Sequence, residues 1–569
     1  MKNFSKPYKA DTPQGTVERI KGIISSHAIP VQEQRLGDGD SFCSCRIFIS
    51  HDEDSSIGTN GKGMNRDYAM ASGYAEFMER YQNRVIVYPN PASINAACRF
   101  YPDEKRYCWN KSETIENVKK YAPRVMPPVG VEADTVEGVS IPFYHVNTST
   151  TEHVPYSLIR WINGSNGMCA GNIREEALIQ GFCEIFERYS MQMMYCREIV
   201  PPDIPLQVFE GTEVLERLCE LRDKYGMDFS VKDYSLGEGF PVIGLLLFNS
   251  DKSKYILHLG SDLNPEIALE RCYTEVFQGY TAETLTFEND INDCEKFDTF
   301  NEFKRSLVYG RGRQHSKFFS SKPSYSYTGH TTIPVGNSFK EDLQNICNWI
   351  IEKGYDIYIR DNSFLGFPTL HIVVPGLSEI DHTFCDLNKR ICHMQLTENR
   401  MDPLFRLTTL DDAECKETIA YLNRMDKDVI DLFTRNNHPN NSVNRHLLLM
   451  LLHVRTGNLQ EAAQCIERYI KHCEEKGLTV RTYYAKMLDI IRGREVQDKD
   501  SADYQIARAF LHRPERALYA IDTPKCFDCD KCSLAVGCRY PLLRDVEDIS
   551  QRAMEAYDFN QDILSELFD

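Results

Sequence analysis

The sequence Gly73-Tyr74-Ala75-Glu76-Phe77-Met78-Glu79-Arg80-Tyr81 recurs 108 residues later, with the same spacing of acids, as Gly181-Phe182-Cys183-Glu184-Ile185-Phe186-Glu187-Arg188-Tyr189. Both read glycine, an aromatic residue, any residue, glutamate, two further residues, glutamate, arginine, tyrosine. Residues three apart lie on one face of an α-helix, so each segment predicts a helix that presents a pair of carboxylates. We expect these two helices to decide the fold and the functional site together.

The polar face of each predicted helix extends beyond its glutamate pair. Ser72 joins Glu76 and Glu79 in the first helix. The second helix carries a stripe about three turns long, formed by Glu176, Gln180, Glu184 and Glu187. Apolar residues border the stripe, which predicts partial burial, and buried carboxylates without partners are costly. Mg²⁺ prefers oxygen ligands together with phosphate oxygens. The pattern therefore predicts a Mg²⁺-nucleotide site, and the alternative is a pair of surface helices with Glu–Arg ion pairs.

Glycine-containing polar segments precede both helices. They are Thr59-Asn60-Gly61-Lys62-Gly63 and the stretch from Ser165 to Asn172. We expect loops whose backbone N–H groups face phosphates at the helix starts, with Lys62 as a phosphate contact. The first segment is not a Walker A loop, because its glycine spacing differs and Met64 stands where Ser or Thr would follow.

Composition limits the class of protein. The chain has 569 residues, which predicts a large domain and at least one smaller unit. Its net charge is -18 without a Lys/Arg run, so we expect no direct nucleic-acid partner. No apolar run approaches the roughly 20 residues that span a bilayer, so no membrane association is expected. Most of the 20 cysteines are scattered, as in reduced cytosolic proteins, and we expect a cytoplasmic location.

Two domains are expected from the change of pattern along the chain. Strand-like and helix-like segments alternate across residues 1–400, which predicts an α/β domain. Residues 401–569 show helical periodicity, and we expect an all-α domain there. Two helices, 446–456 and 459–475, flank Gly457 and predict a tetratricopeptide-like hairpin, although no second copy is evident.

Four cysteines cluster near the end of the chain with C-x2-C-x2-C-x5-C spacing, at Cys526, Cys529, Cys532 and Cys538. This spacing predicts a metal site at 526–538. Either Zn²⁺ or a [4Fe–4S] cluster fits, and the sequence does not choose between them.

The acidic motifs and their order resemble the YcaO family, over about residues 40 to 395. The run Ala268-Leu269-Glu270-Arg271 with Thr274-Glu275, and Ile372 to Gly376, also match in order and spacing. The resemblance implies a YcaO-type, non-Walker ATP-binding fold in which acids hold Mg²⁺ and phosphates. Carried over by position, the ATP/Mg²⁺-binding residues would be Lys62, Ser72, Glu76, Glu79, Asn172, Glu176, Glu184, Glu187 and Arg188.

The family resemblance also implies a reaction. Members use ATP to phosphorylate a backbone amide oxygen, which then leaves when a thiol, hydroxyl or sulfide attacks. Azolines, amidines or thioamides result. Three departures bear on this chain. No proline follows Pro541 in the sequence, so we expect no Pro-x-Pro-x-Pro tail of the kind that azoline-forming members carry, and we expect no leader-binding domain before residue 40. Tyr280 also stands where a relative has arginine.

Three functional hypotheses follow. The first is an ATP-hydrolysing enzyme that activates an amide of a protein or peptide for a sulfur-related modification of thioamide or azoline type. The second is a non-catalytic accessory factor, as long family members with a helical extension are regarded for methylthiolation of a ribosomal protein, that docks a methylthiotransferase or ribosomal protein. The third is a redox or sulfur-carrier module centred on the four cysteines. The family alone suggests a homodimer.

Overall fold

The computed structural model describes most of the chain. The described residues are 9–38, 43–49, 57–86, 100–125, 135–277, 280, 282, 284–287, 289–291, 322–380, 410–423, 425, 428–431, 442–513 and 540–568. The strands are β1 Val31–Asp38, β2 Cys43–Ile49, β3 Gly58–Gly63, β4 Lys105–Asn110, β5 Thr135–His145, β6 Thr150–Val154, β7 Met168–Ala170, β8 Phe229–Asp233, β9 Val242–Phe248, β10 Lys254–Ser261, β11 Asn289–Asp290, β12 Tyr358–Asp361, β13 Thr369–Val373, β14 Val429–Asp431 and β15 Ser442–Asn444. The α-helices are α1 Pro13–Ser26, α2 Arg66–Gln82, α3 Lys111–Tyr121, α4 Tyr156–Asn163, α5 Arg174–Cys196, α6 Glu213–Tyr225, α7 Pro265–Val276, α8 Phe339–Glu352, α9 Asp412–Asn423, α10 Arg445–Arg455, α11 Leu459–Glu475, α12 Thr482–Ile491, α13 Ala502–His512 and α14 Tyr540–Glu555.

Three sheets build the first part of the chain. One has the order β1-β2-β3, one has the order β11-β10-β9-β8, and the largest has the order β4-β5-β12-β13-β7 with β6 also on β5. The mixed α/β fold predicted from the sequence is confirmed. Every strand pair in the described part of the chain is antiparallel. The strand–helix alternation does not form parallel βαβ units, because the strand after α2 or α5 joins a different sheet.

The two acidic helices lie at the centre of this arrangement. Helix α2 packs on β2 and β3, and α5 packs on β7 and β13 on one side and on β10 on the other. Phe182, Ile185 and Phe186 of α5 are fully buried, as the apolar borders of its polar stripe predicted. Both helices also contact β7 and β13, so the same sheet edge sets their relative position.

The glycine-rich segment before α2 is a strand and not the predicted loop. Residues 58–63 pair with β2 in an antiparallel ladder, and Lys62 lies opposite Ser44. Glycine is needed there because α2 lies directly against the strand: a Cβ at Gly61 would overlap the Ala69 carbonyl oxygen and the backbone of Gly73. The missing side chain brings the helix and Lys62 close together.

Capping residues mark the ends of two helices, α7 and α8. The Asn264 side chain caps α7 by accepting from the Glu266 N–H, and Pro265 is its first residue. Ser338 caps α8, and Gly354 follows it with φ of 86°. Helix α7 ends at Val276.

The described residues between 410 and 513 form a mainly helical unit with its own hydrophobic cluster. Helices α10 and α11 form the predicted hairpin, with Gly457 at φ of 74° between them. The unit is not purely α-helical as expected, because β14 and β15 pair in a short ladder. Its likeness to tetratricopeptide repeats stays a prediction.

Residues 540–568 pack on the first part of the chain. Val546 and Met554 of α14 lie in the cluster that contains Phe77 of α2, and Leu564 and Leu567 of a terminal 3₁₀ helix join the cluster around α5. The division at residue 400 stays a prediction, but the chain after residue 539 contributes to the core of the first unit. No helix in the described part is both long and apolar enough to cross a membrane.

The contact between β3 and α2 can be tested at Gly61. Gly61→Ala should destabilise the protein by about 1–3 kcal/mol, since backbone atoms must move to admit the methyl group. Gly22→Ala is the matched control: no atom lies within 4 Å of the added carbon, and alanine favours a helix interior by roughly 0.5–1 kcal/mol. Denaturant unfolding measures both. Equal stability of Gly61→Ala and the wild type would show that the contact is looser than described.

Candidate functional site

A cavity of about 480 Å³ opens between α2, α5 and α7. All nine residues assigned from the sequence line it: Lys62, Ser72, Glu76, Glu79, Asn172, Glu176, Glu184, Glu187 and Arg188. The structure thus brings together side chains from two segments that are 108 residues apart. Their assignment to ATP and Mg²⁺ stays a prediction, and the structure places all of them on the wall of one cavity.

Helix α2 presents its acids to the cavity beside an arginine. Asn65 caps the helix by accepting from the Tyr68 N–H. One turn of the helix places Glu76 and Glu79 on the cavity side, as their spacing predicted. Arg80 Nη1 lies 3.3 Å from Glu79 Oε1, and its Nε lies 3.6 Å from Glu76 Oε1. Glu79 is almost completely buried, whereas Glu76 is about one-third exposed.

Helix α7 also lines the cavity, although its sequence entered the prediction only through the family resemblance and none of its residues was assigned to the site. Four of its residues line the cavity: Glu270, Arg271, Thr274 and Glu275. Glu275 pairs with Lys62 of β3, so the expected phosphate contact has a carboxylate partner. The helix resembles the other two in register, with Ala268, Tyr273, Glu275 and Tyr280 aligning with Ala69, Tyr74, Glu76 and Tyr81.

The packing of α7 supports this third copy. A Cβ at Gly260 of β10 would overlap the Ala268 carbonyl oxygen and approach the Cys272 nitrogen. Gly61 has the same relation to Ala69 and Gly73, as described above. The signal in the sequence was weak because Gln278 and Gly279 replace the second glutamate and the arginine.

The N-terminal segment forms another wall of the cavity. Lys9 Nζ donates to Gln180 Oε1 at 3.0 Å and lies 3.5 Å from Glu176 Oε1, and the Ala10 N–H donates to Glu176 at 2.9 Å. Thr16 donates to the Asn172 side chain at 3.0 Å. Sequence reasoning found no signal here, because a mixed polar segment carries no helical or strand periodicity that could place it.

Charges in the cavity are unevenly balanced. Eight carboxyl groups and five cationic side chains line it. Burial raises the pKa of Glu79 to about 8, with Glu184 and Glu76 adding to the rise and Arg80 opposing it. Burial also raises the pKa of Glu187 to about 7, against the effect of Arg188. A cation entering the cavity would relieve the repulsion among these acids.

The donor set fits a hard divalent cation. All the acidic ligands offer oxygen, which Mg²⁺ and Ca²⁺ prefer. Glu79 Oε1 is buried and accepts no hydrogen bond within the described chain, although Arg80 is near. No three carboxyl, imidazole or thiol groups among the described residues converge closely enough to hold an ion on their own. Further oxygens, from water or phosphate, would have to complete the coordination.

Two sequence expectations fall elsewhere. Tyr280 lines a second, small cavity of about 10 Å³ with His258, and it is not among the residues that line the main one. Cys526, Cys529, Cys532 and Cys538 lie outside the described residues, so the choice between Zn²⁺ and [4Fe–4S] stays open.

Comparison with known proteins identifies the family. The family model described as YcaO cyclodehydratase, ATP- and Mg²⁺-binding, matches residues 60–378, which is more than half of the chain. The chain therefore belongs to the YcaO family, as the acidic motifs indicated.

Individual relatives are distant. The ribosomal protein S12 methylthiotransferase accessory factor YcaO of Escherichia coli is 25% identical over 398 residues, which cover 66% of each chain. The alignment thus spans just under two thirds of that relative. An uncharacterised protein of Haemophilus influenzae is 25% identical over 488 residues, 79% of this chain and 80% of its own.

Solved structures of the family show looser similarity. A heterocyclase in complex with substrate and cofactor matches with a TM-score of 0.46 and 19% identity, over 65% of this chain and 53% of its own. YcaO from Methanopyrus kandleri, bound with AMPPCP and Mg²⁺, matches with a TM-score of 0.44 and 17% identity, over 66% and 93%.

The raised pKa of Glu79 predicts a pH-dependent cost to folding. In the unfolded chain this carboxyl loses its proton near 4.5, but in the folded protein near 8, so ligand-free stability should fall between these pH values. Glu79→Gln removes that loss. The variant should melt above the wild type at pH 8, and the difference should shrink towards pH 5.

Thermal unfolding across pH 5–9 without divalent cations measures the effect. Glu175→Gln is the matched control, since Glu175 lies on α5 but not on the cavity wall. A difference between Glu79→Gln and the wild type that does not change with pH would contradict the burial of an ionisable Glu79.

Proposed function

We propose that the chain binds Mg²⁺-ATP in the cavity between α2, α5 and α7 and uses it to activate a backbone amide. The observation that carries the proposal is the convergence of the two acidic motifs on one cavity, with Lys62 and the motif arginines Arg80 and Arg188 at its wall. Its volume of about 480 Å³ lies within the roughly 300–1,000 Å³ of small-molecule sites.

The side chains divide into two roles. The carboxylates of Glu76, Glu79, Glu184 and Glu187 would hold Mg²⁺, together with phosphate oxygens. When bound, Mg²⁺ supplies charge neutralisation at the phosphates and lowers the barrier for their transfer. The cationic side chains of Lys62, Arg80 and Arg188 would balance the phosphate charge. Ser72, Asn172 and Glu176 offer hydrogen-bond partners along the same wall.

Two residues outside the sequence assignment belong to the same proposal. Lys9 is already held against Glu176 and Gln180, so its ammonium group adds to the positive charge at the N-terminal end of α5. Arg271 lies 3.5 Å from Asp262 and also faces the cavity. A triphosphate carries more negative charge than Lys62 can balance, and these two cations are placed to share it.

The reaction would be a phosphoryl transfer to an amide oxygen. A thiol, hydroxyl or sulfide adds to the amide carbon and gives up its proton to a base, and the oxygen attacks the terminal phosphorus of ATP as ADP leaves. The oxygen then departs as inorganic phosphate, while the amide nitrogen or the added sulfur gives its proton to a base and forms the C=N bond of an azoline or the C=S bond of a thioamide. Support for this chemistry comes from the cyclodehydratase description of the family, and the product would be a thioamide or azoline in a protein or peptide.

A second candidate is an accessory role. The E. coli relative is named as an accessory factor for methylthiotransfer to a ribosomal protein. In that case the helical unit 410–513 would dock a methylthiotransferase or ribosomal protein, and nucleotide would at most regulate the contact. Its tetratricopeptide-like hairpin suits this use, and a homodimer would present two such surfaces. The third hypothesis, a sulfur carrier at the four cysteines, has no described residue to support it.

Calorimetry with Mg²⁺-ATP tests the site. Glu184→Gln should weaken binding by about 100-fold or more, because even partners outside the ligand shell of a metal are worth 10–100-fold. Glu175→Gln on the same helix should bind like the wild type. Loss of binding in both variants, or in neither, would contradict the assignment of the cavity.

ATP turnover by the same samples separates the two candidates. Phosphate release that Glu184→Gln abolishes favours the amide-activating enzyme. Tight binding by the wild type without turnover, in the presence of candidate protein substrates, favours the accessory role. A folded wild type that does not bind Mg²⁺-ATP would reject the nucleotide site and the amide-activating enzyme, and would leave the accessory role without nucleotide as the better account.

A further inference from the structure

Residues 540–568, called the C-terminal brace below, contact the end of α2 through buried polar groups. Arg84 follows α2 and is fully buried, and it makes a bidentate pair with Glu547, whose side chain is 4% exposed. Its Nη1 lies 2.8 Å from Glu547 Oε2. Tyr81 donates to the Val546 carbonyl at 3.1 Å and accepts from Ser550 at 2.9 Å. Three residues of α14 thus contact the last turn of α2 and Arg84, which lies two residues beyond it.

The same segment also reaches the first residue of α5. Gln561 accepts from the Asp361 N–H at 2.7 Å, and its amide donates back to the Asp361 carbonyl at 3.3 Å. Asp361 Oδ2 accepts from Arg174 Nε at 2.6 Å. Tyr557 donates to the other carboxylate oxygen at 3.5 Å. Gln561 and Asp361 are almost fully buried, whereas the Arg174 side chain is about one-third exposed.

The helices held in this way are the two that carry the paired carboxylates. Glu547 binds Arg84, which is five residues after Glu79. Asp361 binds Arg174 of α5, which is two residues before Glu176. Carboxylates that share a cation need their separation set within a fraction of an ångström. Mutual repulsion acts to push the helices apart, and a brace that joins their outer ends opposes it.

We propose that Glu547 and Gln561 are positioning residues for the nucleotide cavity, with the C-terminal brace setting the spacing of α2 and α5. The inference rests on the proposed Mg²⁺-ATP site. It assigns these residues no contact with nucleotide, since neither lines the cavity. They act through Arg84 and Asp361.

The choice of polar groups supports a positioning role over simple burial. Apolar residues of similar volume would often stabilise as much as a buried ion pair. A bidentate arginine–carboxylate pair adds a defined geometry that hydrophobic packing lacks. The Arg84 carbonyl also accepts from Arg160 at 3.0 Å, so the backbone at the end of α2 is fixed from a second side.

Variants on each arm of the brace test the proposal in the full-length chain. Glu547→Gln loosens the α2 arm and Gln561→Met loosens the α5 arm with little change in volume. Asp562→Asn is the matched control: it lies in the same segment, but its side chain bonds to Thr151 of β6, which contributes nothing to the cavity. Mg²⁺-ATP affinity, melting temperature and hydrogen exchange of α2 and α5 are measured for each.

Both brace variants should raise the Kd for Mg²⁺-ATP by about tenfold, or about 1.4 kcal/mol, while Asp562→Asn binds like the wild type. Glu547→Asp, which keeps the charge, should recover part of the loss. Without nucleotide, exchange should rise in residues 66–82 for Glu547→Gln and in residues 174–196 for Gln561→Met. If Glu547→Gln does not fold, Gln561→Met carries the test, because it leaves no charge unpaired.

Folded variants with wild-type affinity and wild-type exchange in both helices would overturn the proposal. A lower melting temperature with unchanged affinity for Mg²⁺-ATP would also contradict it, because the C-terminal brace would then only stabilise the fold. If the wild type itself does not bind Mg²⁺-ATP, the proposed function fails. Hydrogen exchange then tests separately whether the C-terminal brace positions α2 and α5. Faster exchange confined to the matching helix supports it, and a uniform change across the protein rejects it.

Discussion

Carboxylates that share a cavity repel one another and lose hydration, and the fold has to offset both costs. Glu79 and Glu187 show the result, since burial raises the pKa of each. Arginines next to the acids in the chain, Arg80 and Arg188, recover part of the loss because the motif places them on the same side of the helix. The remaining free-energy cost of repulsion and lost hydration persists in the ligand-free protein, and a bound cation would lower it.

The sequence predicted those parts of the site that depend on helical periodicity. Glu-x-x-Glu spacing places two acids on one face whatever the tertiary structure, so α2 and α5 were assigned correctly. Lys9 and Glu270 could not be found in this way, because their positions depend on how distant segments pack. The strand at 58–63 was missed since glycine disfavours strands locally, and only the close contact with α2 explains it.

Helices α2, α5 and α7 each pack closely on a strand at a position without a bulky side chain. Residues without a bulky side chain on β3 and β10 let α2 and α7 lie directly on their sheets, and α5 approaches β7 through Gly181 beside Cys169. Each helix then projects a glutamate at the corresponding turn, at Glu76, Glu184 and Glu275. The feature that the three helices share is therefore a close strand–helix contact that positions one glutamate. The pair of glutamates in α2 and α5 is the form of it that is easiest to recognise in the sequence.

The return of residues 540–568 to the first unit has a consequence for synthesis on the ribosome. A segment that completes the clusters around α2 and α5 is translated after the whole helical unit 410–513. Nascent chains up to that point expose the apolar surface that Val546, Met554 and Leu564 later cover. Folding of the first unit during translation therefore cannot finish until residues 540–568 leave the exit tunnel, and premature termination near residue 540 would release an aggregation-prone product.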